Sequence, residues 1–135
     1  MAIRYLLDTN TASYIIKNNI PSVRERLLQI PMADVAISAV TEAELRFGVA
    51  RRPQAVRLKN IVEEFLLRVD VLPWTSDAAK EYAEIRALLE GKGEPLGNLD
   101  LMIAAHAVAV PAVLVTNDHS FRRVNRLKTE DWTKA

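Results

Sequence analysis

IRYLLDTNTASYIIKN, residues 3–18, joins a short apolar run to a carboxylate and then to a helical pattern. Residues 3–7 show no polar alternation apart from Arg4, as in a strand covered on both faces. Asp8 follows at once, then Thr9 and Asn10, and a helix is predicted over residues 11–17. Asp8 has two readings. Asp8, Thr9 or Asn10 caps the helix that starts next. Alternatively, Asp8 is an acid at the end of a central strand, where an open α/β sheet keeps its active site.

The rest of the chain repeats this strand-to-helix rhythm. Helices are expected from Pro21, with proline in the favoured first turn, over 41–51, 53–69, 76–90 and 99–110. Strands are expected at 34–38, 70–72 and 112–116, with a short edge strand near 126–128. GKGEPLG, residues 91–97, reads as a loop. Alternating strands and helices predict an α/β/α layer structure with a mostly parallel sheet. No repeat or linker divides the chain, so one domain spanning 1–135 is expected, large enough to bury roughly 65–70% of its unfolded surface.

Composition narrows the chemistry. The chain has no cysteine, which excludes disulfides, thiolate metal sites and cysteine nucleophiles, and suits a reducing cytoplasm. A net charge of +1 means that any nucleic-acid surface must be local. Asp8 interrupts the first apolar run too early for a signal peptide. The most apolar segment, 101–115, contains His106 and Pro111 and is too short to span a bilayer, so a soluble chain is expected.

Four acids stand out by position. Asp8 ends the first strand, Glu44 lies in SAVTEAELRFG, Asp100 opens the apolar helix in LGNLDLMIAAHA, and Asp118 follows the last strand in VLVTNDHSF. Each has an ordinary structural reading. Thr41-x-x-Glu44 fits a capping box, Asp100 suits a helix's first turn, and Asn117-Asp118 is a common turn pair. Helical spacing groups Glu44 with Val40, Ala43, Phe47 and Ala50, which predicts that it faces the core side, with Glu42 solvated. Asp100 begins a helix apolar on every side and is expected well inside the protein.

In a parallel sheet the strand ends share one edge, where these four acids would converge. Carboxylates in that arrangement repel one another and raise their pKa values. A divalent cation resolves the repulsion, and hard oxygen ligands favour Mg²⁺ or Mn²⁺. The two histidines do not offer a transition-metal site: His106 reads as a hydrogen-bonded core residue, and His119 as a loop residue, either simply solvated or able to approach a substrate phosphate.

Five pieces stand in order along the chain: YLLDTN, ISAVTEAELRFG, GEPLGNLDLMIAAHA, VLVTND followed by Phe121, and the terminal LKTEDW. In this order and spacing the chain resembles the PIN-domain ribonucleases, and more closely the VapC toxins of bacterial type II toxin–antitoxin pairs. The last two pieces are similar to the branch that cuts initiator tRNA in its anticodon loop. The resemblance implies a PIN-like domain with Asp8, Glu44 and Asp100 as metal-site acids and Asp118 as the fourth. Here TNDHSF is slightly shorter than the branch's TNN-x-x-x-F. Thr9, Asn10 and Thr116 are implied as hydrogen bonders that orient the acids. The implied reaction is phosphodiester hydrolysis, with one or two Mg²⁺ ions, or Mn²⁺ in their place, activating water and stabilising the leaving 3′ oxygen. A VapB-type antitoxin, bound in a groove formed by helices after the second strand, and a homodimer are also implied.

Arg46, Arg51, Arg52, Arg122 and Arg123 are the candidate RNA contacts, since a basic rim around an acidic cleft holds phosphates while the cleft holds metal. The alternatives differ at single positions. Haloacid dehalogenase phosphatases begin with D-x-D-x-T, whereas this chain has Asp8-Thr9-Asn10-Thr11 and lacks the second acid. A non-catalytic PIN-type module binding RNA or protein would be expected to have lost one or more acids, and this chain keeps four.

Overall fold

A computed structural model describes residues 4–134. Its centre is a sheet of five parallel strands: β1 (Tyr5–Leu7), β2 (Val35–Ser38), β3 (Asp70–Leu72), β4 (Val113–Val115) and β5 (Thr129–Glu130). Their order across the sheet is β3-β2-β1-β4-β5. From β1 the chain builds outward through β2 and β3, then returns to β1's other side for β4. The direction of winding therefore switches between β1 and β4, which is where an open α/β sheet leaves a crevice beyond its carboxyl ends. Asp8 follows β1 directly, and Thr116, Asn117 and Asp118 follow β4.

Six helices cover the sheet: α1 (Thr9–Lys17), α2 (Pro21–Leu28), α3 (Ala39–Ala50), α4 (Val56–Arg68), α5 (Ser76–Gly91) and α6 (Asn98–Ala109). Alternation along each strand divides the core in two. Leu6, Ala36 and Leu114 pack with α5 and α6, including Ile85, Leu89 and Ile103. Leu7, Val35, Ile37 and Val115 pack on the other face with Ala12, Val23, Val62 and Phe65 of α1, α2 and α4. Near-continuous apolar strands are what two covered faces require. Gly93, at φ +70, turns the chain out of α5, a conformation that side chains with a Cβ rarely adopt.

Several boundaries differ from the sequence reading, each for a local reason. The helix after β1 starts at Thr9 because Asp8 is its cap. The helix after β2 starts at Ala39, two residues early, because Ser38 caps it and accepts the Val40 N–H. Thr41 is therefore inside the helix and no Thr41–Glu44 capping box exists. The fourth helix starts at Val56, beyond Pro53, whose region forms a turn. The edge strand is at Thr129–Glu130 rather than 126–128. The strand reading at Ile3 lies outside the described residues.

The buried side of α3 also differs. Val40, Thr41 and Leu45 are buried, whereas Ala43, Phe47 and Ala50 are exposed, Phe47 at 63%. The expected stripe runs through apolar residues, but a polar Thr41, 0% exposed, occupies the inner face. Glu44 lies three residues beyond Thr41 and so shares its side of the helix. It is half-buried.

Candidate metal centre

Asp8 is 4% exposed at the carboxyl end of the central strand. Its backbone N–H donates to the Val115 carbonyl (3.1 Å), and its Oδ1 accepts the Thr11 N–H (2.8 Å) as the cap of α1. Burial raises its pKa above the ordinary carboxylate value, an effect opposed by hydrogen bonds from Thr116 and Thr11 and reinforced by the charge of Asp118. The capping and strand-end readings of Asp8 are therefore both present. One oxygen suffices for the cap.

Asp118 sits between β4 and a 3-10 turn, His119–Arg123. Its Oδ1 accepts from Ser120 N (2.9 Å) and Ser120 Oγ (2.7 Å), and its own N–H donates to Thr116 Oγ1 (3.0 Å). The bonds from Ser120 hold its pKa below the ordinary value, with further help from the charges of Arg123 and His119. Asp118 is thus a readily ionised carboxylate, aimed by its own turn.

Thr9 connects the first helix to the third. Its hydroxyl lies 2.6 Å from Glu44 Oε1, to which it donates, and 3.2 Å from Thr41 Oγ1. Glu44 is held toward the strand end by this bond, not by the helix terminus.

Asp100, in the first turn of α6, is half-buried rather than deep. Its pKa is raised by burial first, and then by the negative charges of Asp118, Glu44 and Asp8. All three other candidate acids therefore act on Asp100 through space. Among the described residues none of the four forms an ion pair with Lys or Arg, and the charges of Arg123 and His119 act on Asp118 from a distance. Hard carboxylate oxygens from four elements suit Mg²⁺ or Mn²⁺. In the arrangement shown, no three acidic or histidine side chains among the described residues are drawn closely enough together to hold an ion. A ligand set of this kind would have to contract on the cation.

The supporting residues are partly different from those expected. Thr9 and Thr116 make the bonds described. Asn10 is exposed and bonds to none of the acids among the described residues, because its position on α1 faces solvent. Thr11 takes its place: buried at 2%, it donates to Asp8 from its backbone and to the Val115 carbonyl from its hydroxyl (3.0 Å). Thr11 and Thr41 were missed. Their signal was a threonine three or four residues beyond the ends of β2 and β1.

The basic rim is uneven. Arg46 is already paired with Glu42 (2.9 Å) and Glu63 (2.8 Å), so Glu42 is not simply solvated and Arg46 is not a free cation. The Arg51 guanidinium lies 5.6 Å from the exposed Phe47 ring centre, and Arg52 is exposed. Arg122 and Arg123 are exposed on the turn after Asp118; Arg123 donates to the Pro95 carbonyl (2.8 Å). Of these arginines, Arg123 is the one whose charge reaches an acid of the cluster.

The signs of these shifts give a test of the cluster without metal. Asp8 and Asp100, with raised folded values, contribute stability when protonated and lose it as pH rises through those values. Asp118 runs the other way, losing stability only as pH falls through its lowered value. Between neutrality and the ordinary carboxylate range the first pair dominates. Thermal melts in EDTA are expected to show stability rising as pH is lowered across that interval, relative to an Asp8→Asn/Asp100→Asn variant. A parallel pH course in both proteins would mean that these acids do not burden the fold.

A model of the PIN domain matches residues 5–127. The chain belongs to the PIN domain family. This PIN domain is 39% identical over 132 residues to the tRNA(fMet)-specific endonuclease VapC of Shigella flexneri, covering 97% of this chain and 99% of that protein. It is 36% identical to ribonuclease VapC2 of Rickettsia felis, covering 96% and 98%. Among solved structures, DNA-bound VapBC from Salmonella typhimurium superposes with a TM-score of 0.90 at 37% identity, covering 97% of this chain and 99% of that one. VapBC2 from Rickettsia felis bound to a promoter DNA fragment gives 0.88 at 34%, covering 96% and 99%. These likenesses put this PIN domain among the VapC ribonucleases. No helix among the described residues is long and apolar enough to cross a membrane.

Proposed function

We propose that this PIN domain is a Mg²⁺-dependent endoribonuclease toxin that cleaves tRNA, with the anticodon loop of initiator tRNA as its target, in the cytoplasm and under the restraint of a VapB-type antitoxin. The observation that carries the reading is Asp100: a half-buried acid acted on by Asp118, Glu44 and Asp8, with no Lys or Arg ion-paired to any of the four among the described residues. Asp8, Glu44, Asp100 and Asp118 would hold the metal. When bound, the cation activates water and offsets charge on the leaving 3′ oxygen. The chain does the positioning. Thr9 aims Glu44, Thr11 and Thr116 hold Asp8, and Ser120 fixes Asp118. Arg122 and Arg123, exposed on the turn after Asp118, would meet phosphates of the flanking RNA.

The partner reading rests on the relatives solved as VapBC complexes and on an apolar groove of about 590 Å³ in this chain. Ile15, Ile16, Leu28, Ile61 and Phe65 line it, from α1, α2 and α4, with Glu64 and Arg68 also lining it. Only α4 follows the second strand, so two of the walls come from earlier in the chain than expected. Such a groove suits the apolar face of an amphipathic helix.

The test is to incubate the antitoxin-free protein with total tRNA and Mg²⁺ and to sequence the new 5′ ends. Ends concentrated in the initiator anticodon loop support the full reading. Ends scattered over many RNAs would leave a ribonuclease but remove the tRNA specificity, and intact RNA would remove the enzyme.

A further inference from the structure

His106 is the one ionisable side chain in the buried stretch of α6, and nothing proposed above uses it. It is 1% exposed, and its neighbours Ile103, Ala104, Ala105 and Ala107 are all buried and apolar. A helix packed by small apolar side chains on every side gains little directional information from that packing, because hydrophobic contact is non-directional. Yet α6 carries Asp100, which accepts no hydrogen bond among the described residues and so takes its place from its helix. A polar tie deep in the helix is what would set its rotation and axial position.

His106 makes that tie. His106 Nδ1 lies 2.8 Å from Ser38 Oγ, and Ser38 is 0% exposed. Ser38 closes β2 and caps α3, its Oγ accepting the Val40 N–H at 3.1 Å. With that bond accepted, the hydroxyl proton is free to point at Nδ1, which puts the imidazole proton on Nε2; this tautomer is assigned from the network. Burial lowers the ring's pKa and so favours the neutral form that this bond requires. The bond joins α6, bearing Asp100, to the start of α3, bearing Glu44. The Thr9 hydroxyl then joins α3 to α1, which Asp8 caps. Asp100 lies six residues, about 9 Å of rigid helix, from His106. A second tie, Trp74 Nε1 to the Met102 carbonyl at 3.0 Å, holds the same helix through its backbone.

We infer that His106 and Ser38 form a positioning pair that sets the register of α6 against α3, and so the separation of Asp100 from Glu44. The inference rests on the proposed reading of the four acids. A misplacement on the order of 1 Å costs about 100-fold in rate, so loss of the tie is expected to lower kcat by about 10- to 100-fold with little change in KM for tRNA.

The test compares His106→Leu with His106→Asn. Leu keeps the apolar bulk without the bond. Asn puts a polar atom where Nδ1 stood, the same number of bonds from Cα, and keeps the bond while losing volume. Cleavage is expected in the order wild type, Asn, Leu, while melting temperature places Leu at or above Asn. A structural role alone makes the two orders agree, and that agreement would overturn the inference. In metal-free buffer, melts of His106→Leu, Ser38→Ala and the double variant should show clear non-additivity; additive losses would mean that the bond does not couple the two elements. Wild-type kcat in His106→Leu beside an active wild type would overturn this inference alone. An inactive wild type would overturn the reading of the site, and this inference with it.

Discussion

Asp100→Asn is expected to lower tRNA cleavage by roughly three orders of magnitude or more while the protein still binds RNA. The substitution keeps the side chain's shape and removes the charge that burial and three neighbouring acids already strain. Several kcal/mol of transition-state stabilisation by a cation depend on that charge, and each ~1.4 kcal/mol is tenfold in rate. Folding should not suffer, because Asp100 accepts no hydrogen bond among the described residues and its ionisation works against the native state. RNA affinity should hold or improve, since the phosphate then meets less negative charge. Cleavage and filter binding on one preparation, with metal controlled, decide it. Wild-type turnover would remove Asp100 from the site.

The second large effect is expected at Glu44. Its structural role as the far end of a capping box is gone, because Ser38 caps α3. What remains is the Thr9 hydroxyl at 2.6 Å, and the amide oxygen of Gln accepts that bond nearly as well. Glu44→Gln should therefore melt within about 1 kcal/mol of wild type, the scale of one hydrogen bond. Cleavage should nonetheless fall by orders of magnitude, because a neutral amide is a poor ligand for a hard cation. Glu42→Gln is the control. Glu42 pairs with the exposed Arg46, and exposed pairs are worth roughly 0–1 kcal/mol, so neither melting nor cleavage should move much. Near-normal cleavage by Glu44→Gln would leave a site of three acids.

The architecture was legible because the inner strands are covered on both faces and so read as unbroken apolar runs. Val35, Ala36 and Ile37 are all buried, as are Leu6 and Leu7. β5 was misplaced because two residues at an edge, Thr129 and Glu130, carry almost no pattern. Topology places Asp8 after β1, Asp118 after β4 and Asp100 in the first turn of α6, whereas Glu44 lies more than a turn into α3 and meets the strand end through Thr9. The supports of these acids were less legible. Thr41 is fully buried on α3, but a polar residue does not register in an apolar stripe, so the stripe was drawn through Phe47 instead. Asn10 and Thr11 stand one residue apart, and only the helix's rotation decides that Thr11 meets Asp8 while Asn10 faces water. Of the two partners of Arg46, Glu42 stands four residues before it on the same helix, whereas Glu63 comes from α4, seventeen residues on. Long-range pairing of that kind leaves no mark in local sequence.

Asp8, Glu44, Asp100 and Asp118 are proposed to work through a divalent cation. The most direct measurement is cleavage of purified tRNA by the antitoxin-free protein, stripped with EDTA and then titrated with Mg²⁺. The expected result is no cleavage in EDTA and full recovery as Mg²⁺ is restored, with Asp100→Asn inactive at every concentration. Undiminished cleavage in EDTA, by wild type at least, would contradict it.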